Sequence, residues 1–262
     1  MTTHVTVRYT RALAALAIAT VALVAGGGAT ASANVCADAN GGYFGRWLQP
    51  NHAMPINELT YLSSMDATKV RARLMDAADT WNREINTCGY STSLSHTIAL
   101  APGAFASAQD RADGDRFNGR NQIAFGPIRG IQWARFGCDG GVLACAPYHR
   151  GANGYFDETD VQFDTNYNWW GGRETTVPGN AHDIYVPEGW YDLWGIGAHE
   201  LGHTLGQAHA TNAGNNLTMR PQFCSGTNDA ACAPYGGPSS NARTLGLGDI
   251  HWYRQNYRRS GP

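Results

Sequence analysis

Apolar positions along the chain change period several times, and each period predicts an element. Val70, Leu74, Ala77, Ala78, Trp81 and Ile85 recur at helical spacing behind Asp66, a residue type that caps helix N-termini, so a helix is predicted there. Thr159, Val161 and Phe163 alternate with polar neighbours, the period of a half-buried strand over residues 157–163. Further strands are predicted at residues 58–64, 91–100, 121–126 and 140–147. A second helix is predicted from Asp192, with Leu193 and Ile196, to a stop at Gly206. A last helix is predicted over residues 249–257, with Ile250, Tyr253 and Tyr257 on one stripe. Strands between helices in this order suggest a mixed α+β layer fold. Residues 34–57, rich in Gly, Asn and Pro, read as an irregular lead-in, and residues 58–262 as one domain.

The first 33 residues do not belong to that domain. Arg8 and Arg11 precede the apolar run ALAALAIATVALVA, which is short for a bilayer span, and Ala31-Ser32-Ala33 is a small-x-small cleavage site. A secretory signal peptide over residues 1–33 is expected, with a secreted, extracellular product that has no membrane segment after cleavage. Losing Arg8 and Arg11 from a chain of 19 basic and 21 acidic residues takes the formal charge from −2 to −4. No basic run marks a nucleic-acid surface. With 43% hydrophobic and 15% charged residues the chain is globular rather than disordered.

Six cysteines in an exported chain imply disulfide bonds. Fifteen pairings are open to them. Nearness along the chain favours Cys138–Cys145 and Cys224–Cys232, leaving Cys36–Cys88.

The candidate chemistry lies in WGIGAHELGHTLGQAHA. His199 and His203 are four residues apart, which on a helix puts both imidazoles on one face, one turn apart. Gly206 permits a sharp turn, because glycine alone takes positive φ at little cost, and the turn can return His209 as a third ligand. Three neutral imidazoles leave one position of a tetrahedral zinc ion open, as a catalytic site requires. Zinc would lower the pKa of a bound water, and Glu200, one step round the helix, could take its proton as general base and pass it to a leaving amine as general acid.

HELGHTLGQAH resembles the HExxHxxGxxH motif of the metzincin metallopeptidases, and LTMRP at residues 217–221 sits where that clan keeps its Met-turn. Within the clan the chain is most similar to the bacterial matrixins: NQIAFG, GGVLACA, DVQFDTNYNWW and LGLGDIHWYRQNY resemble their third strand, edge strand, the strand and turn before the active-site helix, and the closing helix. The resemblance spans residues 58–257 and implies a zincin-like fold, with a twisted mixed sheet and two long helices in an upper lobe and a small irregular lower lobe ending in a helix. It implies one catalytic zinc on His199, His203 and His209, Met219 as a structural floor, and a peptide or protein substrate paired along Val142, Leu143 and Ala144 by β-augmentation. Residues 220–244 would wall the pocket for the side chain after the cut bond.

The chain departs from the animal matrixins at Cys145 and Gln162, where histidine ligands of a second zinc would fall, and a Cys138–Cys145 disulfide could replace that ion. No propeptide switch motif is present; Cys36 or Asp38 could block the metal before activation, against the simpler expectation of a disulfide and a solvated acid. Calcium is a second candidate ion, with Asp157 and Asp160 as first-choice ligands and Asp110, Asp113, Asp115, Asp139 and Asp164 as others. His52, His96, His149, His182 and His251 lack ligand spacing and are expected at the surface. A monomeric zinc endopeptidase is the expected function. The alternatives are a silent secreted binding protein on the same scaffold, or a zinc amidase acting on a small or cell-wall peptide.

Overall fold

The computed structural model describes residues 41–86, 88–90, 96–103, 117–134, 136–138, 141–171, 186–210, 217–226 and 242–257. All lie in one compact unit, residues 32–262. Residues 1–33, Cys36, Asp38, the acids Asp110, Asp113, Asp115 and Asp139, and His182 lie outside the described residues. No helix among the described residues is long and apolar enough to cross a membrane.

The architecture is mixed α+β. Strands β2 (Asn51–Ile56), β3 (Thr97–Pro102), β4 (Gln122–Gly126) and β7 (Phe156–Asp164) run parallel in the order β3-β2-β4-β7. Two short strands, β5 (Ala144–Cys145) and β6 (Tyr148–Arg150), pair antiparallel with the free side of β7 and form that edge. Helices α1 (Ala67–Asn82) and α3 (Leu193–Thr204) pack with this sheet, and α2 is a single turn, Ile131–Ala134. Two small sheets complete the fold. In one, β1 (Gly41–Tyr43) pairs antiparallel with β10 (Gln207–Ala210), and helix α4 (Leu247–Tyr257) packs against both; in the other, β8 (Asn168–Trp170) pairs in parallel with β9 (Trp190–Asp192).

Local chemistry explains the helices. The Asp66 carboxylate accepts from Thr68 N and Lys69 N at 3.0 and 3.2 Å, and α1 buries Val70, Leu74, Ala77, Ala78 and Trp81, the stripe that the spacing predicts. Asp192 caps α3 by accepting from Gly195 N at 2.8 Å, and the same carboxylate takes a two-pronged contact from the buried Arg243 guanidinium, Nε to Oδ2 at 2.6 Å. Unlike α1, α3 is buried on nearly all sides, so it is the central element and not a surface helix. It meets α1 closely at Gly202: a Cβ there would run into Met219 Sδ and come within 2.7 Å of Trp81 Cζ2. The Trp81 indole also donates to Ala198 O at 2.7 Å.

The strand β7 is buried on both faces. Thr159, Val161 and Phe163 face the main core, while Glu158, Asp160, Gln162 and Asp164 are buried on the other. A second small core of Ala124, Ile128, Trp133 and Cys145 lies there. The segment above them engages these polar side chains: Glu158 accepts from Asn118 N and Gly119 N, Asp160 from Gln122 N, and Gln162 donates to Pro127 O, although Gln162 Oε1 has no partner.

Two local expectations change. Residues 58–64 do not form a strand: Glu58–Thr60 is a 3-10 turn, and the strand is β2, inside the segment expected to be irregular. His52 and His96 are buried, at 4% and 1% exposure, because His52 alternates with Met54 and Ile56 on the inward face of β2. Asp160 is buried and accepts from Gln122 N at 3.0 Å, whereas Asp157 sits at an irregularity in the β6–β7 pairing, is exposed and bonds His149 Nδ1 at 2.6 Å. His149 and His251 are exposed, as expected.

Cys138 and Cys145 form a disulfide with Cα atoms 6.0 Å apart. Cys88 and Cys224 are also disulfide-bonded.

Candidate metal centre

Helix α3 carries His199 and His203 one turn apart with ring centroids 4.7 Å from each other. The helix ends at Leu205, and Gly206 turns the chain at φ 94°. A side chain could not follow it through this turn: a Cβ on Gly206 would collide with Gly45 O. Strand β10 then brings His209 back, with its Nε2 at 3.2 Å from the Nε2 atoms of both His199 and His203.

Two backbone carbonyls set the tautomers. His199 Nδ1 is 2.7 Å from Thr218 O, and His203 Nδ1 is 2.7 Å from Gln207 O. A carbonyl can only accept, so each Nδ1 carries the proton and each Nε2 presents a lone pair to the centre. Burial, reinforced by the neighbouring imidazoles, holds His199 well below the usual histidine range and pushes His203 down to about 3. His209 is lowered by burial as well. All three rings are therefore neutral at pH 7, the state that binds a metal.

The donor set fits a tetrahedral cation. Nitrogens at about 2.0–2.1 Å from zinc, at tetrahedral angles, lie about 3.3–3.4 Å from one another. The two spacings to His209 Nε2, 3.2 Å each, are close to that. The three side chains are the one group of three or more His, Cys, Asp or Glu among the described residues whose ligand atoms converge, all within 4.8 Å.

Glu200 follows His199 on the helix and is 5% exposed. Its Oε2 has no hydrogen-bond partner, and burial pushes its carboxyl up to about 8. An unpaired buried carboxyl oxygen is costly and marks a position that another group is meant to fill. Met219 is fully buried beneath the helix against Gly202, and its carbonyl accepts from Ala210 N at 2.7 Å, bracing the strand that carries His209.

A cavity of about 610 Å³ opens over these residues. Val142, Leu143 and Ala144 line it, with Ile196, Glu200 and Phe223. Ala144 belongs to β5, at the edge of the sheet, and Leu143 O accepts from Asp164 N at 2.9 Å, so the segment lies alongside β7. Pro221, Gln222 and Phe223 form a wall, and the Phe223 ring stands edge-on to His199 at 5.1 Å. Residues 227–241, the remainder of the expected wall, lie outside the described residues.

Several contributors are invisible in the sequence. The Thr218 and Gln207 carbonyls leave no side-chain signal. Phe44 and Tyr148 also line the cavity, stacked on each other at 4.6 Å. An aromatic residue among the glycines of residues 41–45 is the one hint that could have found Phe44. The two departures at a second zinc position have other occupations: Cys145 is in its disulfide and Gln162 bonds Pro127 O.

No family model matches this chain, and no curated protein matches it.

Proposed function

We propose that this chain is a secreted zinc-dependent endopeptidase of metzincin, matrixin-like type. The observation that carries the reading is the convergence of three neutral imidazoles, His199, His203 and His209, beside the unpaired carboxyl oxygen of Glu200. His199, His203 and His209 would hold the ion through Nε2. Zinc held there supplies Lewis acidity, acidifying a water and polarising the carbonyl under attack.

The rest is done by the chain itself. Glu200 takes a proton from the attacking water and returns it to the leaving amine. Its raised pKa suits this exchange, since a base works best when its pKa is near the working pH, and a dication nearby draws the value back down. The edge at Val142 to Ala144 offers main-chain groups to an extended peptide, which binds chains of varied sequence. Phe223 and Ile196 present apolar surface next to His199, so a peptide with an apolar side chain beside the cut bond fits best.

The test is cleavage of casein by the purified mature protein, beside Glu200→Ala and beside wild type stripped by a chelator. Loss of cleavage in both controls, with zinc still bound one-to-one by Glu200→Ala, is expected. Cleavage by Glu200→Ala at the wild-type rate would refute the mechanism. A wild type that holds zinc and cuts nothing would refute the peptidase reading.

A further inference from the structure

The cleft continues past the imidazoles. On one side His199 meets Phe223; on the other the His203 ring lies 6.0 Å from Phe44. Phe44 is also a wall of a second, more polar depression of about 410 Å³, lined further by Tyr43, Arg46, Arg150, Asn153 and Tyr155. The two hollows therefore share an aromatic partition, and Tyr148, stacked on Phe44, links them from the β6 side.

The chemistry of the second hollow is one-sided. It holds two guanidinium groups and no carboxylate among its lining residues. Arg46 lies over the Tyr155 ring, 5.4 Å from its centroid, and donates to the Tyr155 hydroxyl at 3.4 Å. Arg150 lies over the Tyr148 ring at 5.4 Å. Both arginines are exposed, and among the described residues neither makes an ion pair. Asp157, the acid on the β6–β7 hairpin, is engaged by His149. An arginine stacked on an aromatic face is already ordered, and its N–H edges remain open to a carboxylate. Both guanidinium groups therefore offer open N–H edges to a negative group.

We propose that this depression is a specificity subsite for an acidic side chain. A peptide in the cleft would place Asp or Glu between Arg46 and Arg150, on the Phe44 side of the metal. The inference rests on the peptidase reading for the cutting itself, and on the arginines and the partition alone for the preference.

The experiment uses the zinc-loaded full-length mature protein and a set of otherwise identical quenched peptides with Asp or Asn at each flanking position. Cleavage is read as the Asp-to-Asn ratio of kcat/KM. Binding of the same peptides is read by fluorescence anisotropy on Glu200→Ala. One position on one side is expected to favour Asp by roughly threefold to tenfold, the scale of one or two exposed ion pairs. The ratio should fall to near one in Arg46→Gln/Arg150→Gln. It should also fall in 1 M salt, where screening acts within about 3 Å. Arg46→Lys/Arg150→Lys should keep part of it. A binding ratio near one at every position overturns the subsite, as does a ratio that survives the double Gln variant or high salt. Peptides that bind Glu200→Ala with the acidic preference but are never cut by wild type would sink the peptidase reading and leave the subsite standing.

Discussion

Acidification should destabilise this protein through a pair of histidines that take no part in the metal centre. His52 Nδ1 and His96 Nε2 are 2.8 Å apart, with His52 stacked on Trp47 at 4.7 Å and His96 against Tyr257 at 4.4 Å. The Thr204 hydroxyl donates to Leu201 O and lies 3.5 Å from His52 Nε2. One of the two facing nitrogens donates and the other accepts, so the contact needs only one proton and suits two neutral rings. Burial pushes His96 down to about 4 and holds His52 well below the usual histidine range. A folded pKa below the unfolded value means that the unfolded chain takes up protons first as the pH falls. The stability tied to His96 is therefore whole above about pH 6.5, and is lost progressively down to about pH 4.

The loss from pH 7 to pH 5 for His96 alone is about 2 kcal/mol, from its value of about 4 and an unfolded value of about 6.5. For a chain of this size that lowers Tm by about 4–8 °C. The assay is urea or thermal unfolding across pH 7 to pH 5, comparing wild type with His96→Gln. The metal-centre histidines shift both proteins alike, so the difference reports on the His52–His96 pair, to which His96 contributes directly and through its effect on His52. The Gln variant should start lower at pH 7 and lose about 2 kcal/mol less on acidification. Parallel curves for the two proteins would refute the reasoning.

Two further predictions concern the support of the centre. Gly202→Ala drives a methyl into Met219 Sδ and Trp81, and should cost about 1–3 kcal/mol in a denaturant titration; an unchanged midpoint would mean that Met219 repacks freely. Asp249→Ala frees the amides of Thr218 and Gly246, each held at 3.0 Å, and so loosens the carbonyl that orients His199; zinc affinity in a competition titration should fall roughly 10–100-fold, with Asp249→Asn recovering most of it.

How much of this was legible in the sequence depended on distance along the chain. The His199–His203 spacing, the turn at Gly206 and the caps at Asp66 and Asp192 are local, and helical period or φ preference settles each. The stripe on α1 was readable for the same reason. The burial of His52 was not read although its alternation with Met54 and Ile56 was present, because Pro55 and the surrounding Asn and Gly residues mask a strand pattern. The polar face of β7 looked solvent-facing because alternation cannot show that residues 117–145 fold back over it. Arg46 and Arg150 stand 104 positions apart and meet only through Phe44 and Tyr148, so no window along the chain could pair them.

The turn after α3 shows why the metal motif is not self-sufficient. Eleven contiguous residues supply the three imidazoles, yet distant segments hold the turn in place. From the N-terminal side, Phe44 N donates to Gly206 O at 2.9 Å, and the Trp47 indole donates to Thr204 O at 2.8 Å. From the C-terminal side, the Tyr257 hydroxyl donates to Leu205 O at 2.7 Å and accepts from Trp47 N at 3.2 Å. The last carbonyls of a helix have no partners within it, and here Trp47 and Tyr257 supply them. Orientation of His209 is thus a tertiary property: β1 pairs its strand, Met219 O takes its neighbour's amide, and α4 anchors the loop bearing Met219 through Asp249. A peptide of residues 193–210 would carry every ligand, but without these ties it would have to order the turn on binding, and its zinc affinity would be lower by that entropy.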